Sequence, residues 1–152
     1  MLRTIVLFVC LSFGAWVTGC SQAGEKATGE VKLHSAEKII AVFAEQELTL
    51  KKSEPKAENV FEMKLNGRTP QVFALNGKQV ILYQFASAED REEGWVEFGK
   101  RTATADLIPF NQLNEGSLLL FYVHGIHPAD DEIHDRLAAA LKALSSMEDT
   151  GE

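Results

Sequence analysis

From residue 35 onward the spacing of apolar positions changes several times along the chain. Ser35 offers an N-cap, and Ile39, Ile40 and Phe43 follow at helical spacing, which predicts a first amphipathic helix running to Gln46. Leu48 and Leu50 then alternate with Thr49 and Lys51, the period of a short strand. Lys51 to Asn59 is charged and holds Pro55, so it reads as a loop. Residues 60–65 fit either a strand or a short helical turn, closed by Asn66-Gly67. Gln71 to Leu75 and Lys78 to Phe85 flank Asn76-Gly77, the dipeptide that most strongly specifies a two-residue hairpin, because a type I′ turn needs positive φ at both central positions. In the second of these strands Ile81, Tyr83 and Phe85 take one face and Val80 and Leu82 the other, which predicts a central strand covered on both sides.

Ser87-Ala88-Glu89-Asp90 has the form of a helix start: a capping hydroxyl followed by acids that complement the helix dipole. Arg91, Trp95, Phe98 and Thr102 then line one face. Gly94 and Gly99 each cost this helix up to ~1 kcal/mol against Ala, and close approach to the sheet is the expected reason. Asp106 to Phe110 predicts a short edge strand around Pro109, and Asn114-Glu115-Gly116 a turn. Leu118 to Val123 is continuously apolar, a buried strand. From Pro128 to Met147, Ile133, Leu137, Leu141 and Leu144 mark a final amphipathic helix. The expected architecture is α+β: a single mixed, mostly antiparallel sheet of about four to five strands with helices mainly on one face. If the strands at 79–85 and 118–123 pair in parallel, the helix between them must cross over right-handed.

The N-terminal pattern is of a different kind. Arg3 precedes an uncharged apolar run from Thr4 to Val17, about the length of a signal-peptide core and too short to span a bilayer as a ~20-residue helix. It ends in Val17-Thr18-Gly19-Cys20. This tetrad resembles the lipobox of bacterial lipoprotein precursors: an aliphatic residue, a small residue, Gly, and the acceptor cysteine. The resemblance implies cleavage between Gly19 and Cys20 and a thioether-linked diacylglycerol on Cys20. Two acyl chains anchor stably where one does so only marginally. The alternatives are an uncleaved anchor helix and an ordinary secretory peptide cut elsewhere. Residues 1–19 thus read as a lipoprotein signal peptide, 20–33 as the lipidated cysteine and a flexible tether, 34–148 as a single α+β domain and 149–152 as a tail. Ser21, rather than Asp, follows the cysteine, which by lipoprotein sorting rules points to the outer membrane in a Gram-negative envelope and to the outer face of the cell membrane in a Gram-positive one. The layout Leu65-Asn66-Gly67, Asn76-Gly77-Lys78, Leu82-Tyr83-Gln84-Phe85 and Phe121-Tyr122-Val123-His124-Gly125 is similar to that of small lipoproteins of Gram-positive bacteria without an assigned function.

Composition narrows the picture further. The chain has 152 residues, a length suited to one domain, and is 45% hydrophobic, which excludes a mostly disordered chain. Its net charge is −7, and cleavage before Cys20 removes only Arg3, leaving 14 basic against 22 acidic residues, or −8. Such a charge argues against a nucleic-acid partner, which needs a basic face. The only cysteines are Cys10, which leaves with the signal peptide, and Cys20, whose sulfur is consumed, so the domain is held together without a disulfide.

One cluster carries candidate chemistry. His124, His127 and His134 fall within eleven residues, together with Asp130 and Asp131, where a buried strand passes into the last helix. His, Asp and Glu side chains suit Zn²⁺ or another borderline divalent metal. His127 and His134 would stand ~10 Å apart along a helix, so one ion cannot take both without a folded-back loop. Asp130, Asp131 and His134 share a face more easily, with His124 or His127 completing the set. The competing reading is structural, with the acids as dipole partners at a helix start. The paired acids Asp130-Asp131 and Glu92-Glu93 read as solvated faces, and Tyr83, Phe85, Trp95, Phe98, Phe121 and Tyr122 as core. There is no G-x-S-x-G elbow, Walker loop, dinucleotide-binding glycine fingerprint or H-E-x-x-H pair. The expectation is a membrane-anchored extracytoplasmic lipoprotein that binds a partner protein, envelope component or small ligand without catalysis or cofactor. A metal-handling lipoprotein is the alternative.

Overall fold

Ser35 caps the first helix: its hydroxyl accepts from the Lys38 N–H at 3.3 Å, and α1 runs Ala36–Ala44 in the computed structural model. The structure describes residues 33–56, 58–126 and 131–149; the lipobox with Gly19 and Cys20, the tether up to residue 32, His127, Asp130 and residues 150–152 of the tail lie outside them, while Asp149 belongs to the last helix. α1 stops short of Gln46 because Glu47 turns left-handed, at φ 57°. The Glu47 N–H donates to the Ala44 carbonyl and the Leu48 N–H to the Phe43 carbonyl, the paired bonds of a Schellman ending. Phe43 and Leu48 bury themselves in the same core, the apolar contact that accompanies this ending. Leu48 and Leu50 are therefore spent on the core, and the ladder starts one step later, as β1 (Lys51–Ser53). The strand expected over Leu48 and Leu50 and the loop expected from Lys51 are both displaced.

Of the two readings of residues 60–65, the helical one holds: Val60–Glu62 is a 3₁₀ turn, capped by the Asn59 side chain, which accepts from the Phe61 N–H at 3.1 Å. Asn76 and Gly77 take φ 49° and 78°, as a type I′ turn requires, and join β2 (Gln71–Leu75) to β3 (Lys78–Gln84). Ser87 caps α2 (Ala88–Thr102), accepting from the Asp90 N–H at 3.1 Å. The edge strand expected over Asp106–Phe110 lies instead at Phe110–Glu115 (β4). Pro109 has no N–H for a ladder, so the strand begins after it, and the polar side chains Asn111, Gln112 and Asn114 hid its alternation. The turn shifts with it to Gly116-Ser117, since Glu115 still pairs with Leu118. β5 is Leu118–Val123, as expected, and α3 is Asp131–Asp149.

The sheet order is β1-β2-β3-β5-β4, and every pairing is antiparallel. β3 and β5 pair from Gln79↔Val123 to Gln84↔Leu118, so no parallel crossover arises. The fold is α+β, with β3 at the centre and both its faces buried. Phe73, Leu75, Val80, Leu82, Leu118, Leu120 and Tyr122 face α1 and α3. Val72, Ile81, Tyr83, Phe85, Leu119 and Phe121 face α2 and the 3₁₀ turn. Gly94 lets α2 approach the sheet: a Cβ there would stand 2.7 Å from the Phe85 ring. Gly99 has no such role, for a Cβ there meets nothing within 4 Å.

Candidate functional site

The histidine segment begins where β5 leaves the sheet. His124 follows Val123 with only 9% of its surface exposed, its ring 5.8 Å from that of Tyr122. Gly125 then takes φ 73° and its N–H donates to the Pro109 carbonyl at 3.1 Å. Ile126 projects into solvent. Across the gap, Asp131 opens α3 exposed and His134 is half-buried. The His134 Nδ1 lies 2.9 Å from Asn111 Nδ2 on β4. An amide nitrogen can only donate, so the contact is a hydrogen bond when Nδ1 is the unprotonated ring nitrogen. Asn111 is the ladder partner of Tyr122, which brings His124 and His134 to the same helix-covered face of the sheet. Of the five residues singled out for a metal, the structure therefore describes His124, Asp131 and His134. Among the described residues no three His, Cys, Asp or Glu side chains come together to hold an ion.

Two polar arrangements were not singled out from the sequence. The first surrounds Glu62, a carboxylate buried at the end of the 3₁₀ turn. It accepts from the Lys56 N–H, from Asn59 Nδ2 at 2.6 Å and from Gln79 Nε2 at 3.2 Å. The spacing Asn59-x-x-Glu62 is that of a capping box and was legible as such. The network ties the loop after β1 to β3. The second arrangement holds the start of the domain. The Gln84 amide brackets the His34 backbone, accepting from its N–H at 2.7 Å and donating to its carbonyl at 3.0 Å, while Gln71 donates to the same carbonyl at 2.8 Å. Gln84 pairs with Leu118, so the chain enters the domain at the end of the sheet opposite His124.

An open cleft of about 220 Å³ lies between the start of α1 and the β1–β2 edge, walled by Pro55, Pro70 and Val72. Its charged rim is Glu37, Lys52 and Glu54, all exposed. The Glu37 carboxyl is held below the usual range chiefly by its own backbone N–H and by the Ser35 hydroxyl. With opposite charges on its rim and Ser53 and Gln71 half-buried in its wall, it can accept a small polar molecule from solvent. Of the aromatic positions expected in the core, Tyr83, Phe85, Phe98, Phe121 and Tyr122 are buried, and Trp95 is half-buried against them. Trp95 stacks on Phe98 at 5.6 Å and Tyr122 is 4% exposed. Glu92 and Glu93 are exposed, and Glu93 accepts from Asn66 Nδ2 at 3.1 Å. No described helix is long and apolar enough to cross a membrane. Comparison with family models, with characterised proteins and with solved structures finds no match.

Proposed function

We propose that this chain is an extracytoplasmic lipoprotein: a small acidic α+β domain tethered to a membrane through lipid on Cys20, acting by binding a partner protein, envelope component or small ligand. The observation that carries the reading is Val17-Thr18-Gly19-Cys20 at the end of an uncharged apolar run preceded by Arg3. The domain is consistent with it in two respects. Its described chain starts at one end of the sheet, through the bracketed His34 backbone, opposite the end that carries His124. Its core is built without a disulfide. The decisive experiment is metabolic labelling with a clickable fatty acid in a bacterial host. The wild-type chain takes up label and partitions into detergent, and Cys20→Ser loses both. A wild-type chain without label, or a Cys20→Ser chain that keeps it, overturns the reading. The metal-handling alternative rests on the spacing of His124, His127, Asp130, Asp131 and His134. It replaces the binding reading if Zn²⁺ raises the melting temperature of the wild type but not that of His124→Ala or His134→Ala.

A further inference from the structure

Two Asn-Gly turns stand in this chain on nearly the same backbone. Asn66-Gly67 has φ 44° and 74°, and Asn76-Gly77 has φ 49° and 78°. Both glycines are open, with nothing within 4 Å of where a Cβ would stand. The two asparagine side chains are not alike. Asn66 is half-buried against α2, its Nδ2 donating to the Asp90 carbonyl at 3.0 Å and to Glu93 at 3.1 Å, and its N–H to Glu97 at 2.7 Å. Asn76 is exposed at the tip of the β2–β3 hairpin and makes none of these bonds among the described residues.

We propose that Asn76 is a site of spontaneous deamidation and that Asn66 is its protected counterpart. The Gly77 nitrogen, with no Cβ beside it, attacks the Asn76 side-chain carbonyl carbon. A new N–C bond closes a five-membered imide, the bond to Nδ2 breaks, and the Gly77 proton leaves with it as ammonia. Water then adds to either imide carbonyl and opens the ring. One product carries an ordinary aspartyl link; the other is isoaspartyl, with the main chain running through the side-chain carbon. Both place a new carboxylate at position 76. The isoaspartyl form also lengthens the backbone between Leu75 and Lys78, which pair directly across a two-residue turn. That turn has no slack for an extra atom, so the product disturbs the hairpin that leads into the central strand. At Asn66 the same attack must first break the bonds to Asp90 and Glu93, which slows it by at least about tenfold.

The test is peptide mapping by mass spectrometry after incubating the full-length chain in mildly alkaline buffer made with heavy-oxygen water. The expected result is heavy carboxylate at position 76 appearing at least about tenfold faster than at position 66. In denaturant the difference disappears, because the local dipeptide is the same. Glu93→Ala, an exposed substitution, speeds conversion at Asn66 alone. Equal rates at the two positions in the folded chain overturn the proposal. So does conversion of both in denaturant with neither converting in the folded chain.

Discussion

The two faces of the central sheet solve the same packing problem differently. On one, α1 and α3 lay aliphatic side chains (Ile39, Val42, Leu137, Leu141 and Leu144) over Leu82, Leu118 and Leu120. On the other there is one long helix, α2, and a five-stranded sheet is too wide for it. Rings supply the missing breadth. Phe121 lies at the hub, its centroid 4.8 Å from Phe98, 5.7 Å from Phe61 and Phe110, 6.0 Å from Tyr83 and 6.2 Å from Trp95. The 3₁₀ turn is fastened from beneath: the Tyr83 hydroxyl lies 2.8 Å from the Phe61 carbonyl and 2.5 Å from that of Met63. α2 is fastened to the Asn66 turn, where the Asn66 N–H and Arg101 hold the Glu97 carboxyl below its usual range, the N–H acting most strongly. Two helices cover their face mainly by aliphatic contact, with a side-chain bond from sheet to helix at Asn111 and His134. One helix needs large rings and polar ties as well.

That contrast can be broken experimentally. The largest effect is expected at the aromatic hub, where Phe121→Ala removes five ring contacts at once and destabilises the domain by ~3–5 kcal/mol. Leu82→Ala on the aliphatic face is expected to cost less, because its neighbours can collapse into the space; urea denaturation of both variants measures the difference. If Leu82→Ala costs more, the aromatic face is not the less adaptable one. Next comes Gly94→Ala. Its Cβ collides with the fully buried Phe85 ring, so a loss of about 1–3 kcal/mol is expected. Gly99→Ala on the same helix should instead gain up to ~1 kcal/mol, since nothing opposes it. Thermal melts of the pair read this opposition of sign directly.

Tyr83→Phe tests the polar tie. It removes the one hydroxyl proton that the Phe61 and Met63 carbonyls share, and an expected loss of ~1–3 kcal/mol follows from leaving an acceptor unpaired in the core. Burial, and secondarily the Glu62 charge, push the Tyr83 hydroxyl well above its ordinary pKa. Its folded-state pKa therefore exceeds the unfolded one. The associated stability is complete below about pH 10 and is lost as pH climbs toward the folded value. Melting curves against pH should show a steeper alkaline loss in the wild type than in Tyr83→Phe. The smallest effect belongs to the aliphatic side. Glu47→Gly relieves a left-handed residue at the end of α1, with an expected gain of up to ~1 kcal/mol. The ion pair it gives up, Glu47–Arg136 at 2.8 Å, is largely solvent-exposed and offsets little of that.

Much of this molecule was legible in one dimension because the signals are local. Ser35 and Ser87 cap helices through hydroxyls that reach only three residues along the chain. Asn76-Gly77 makes its turn because the two residues tolerate positive φ, whatever surrounds them. The alternation of Val80 and Leu82 against Ile81 and Tyr83 marked a two-sided strand, and the continuous run Leu118–Val123 a second one. The lipidation proposed at Cys20 likewise rests on adjacent residues alone. The rest depended on partners far along the chain. β4 is a strand because β5 presents a ladder to it, not because Asn111, Gln112 and Asn114 prefer one. The antiparallel pairing of β3 with β5 was decided by sheet order, which no local pattern encodes. Glu62 is buried because Lys56, Asn59 and Gln79 converge on it. In the histidine segment, His134 meets Asn111 and His124 packs beside Tyr122, contacts that no local spacing encodes, while His127 and Asp130 lie outside the described residues. Short-range sterics and hydrogen bonding are written in neighbouring residues; which distant surfaces meet is settled only when the whole sheet closes on its two cores.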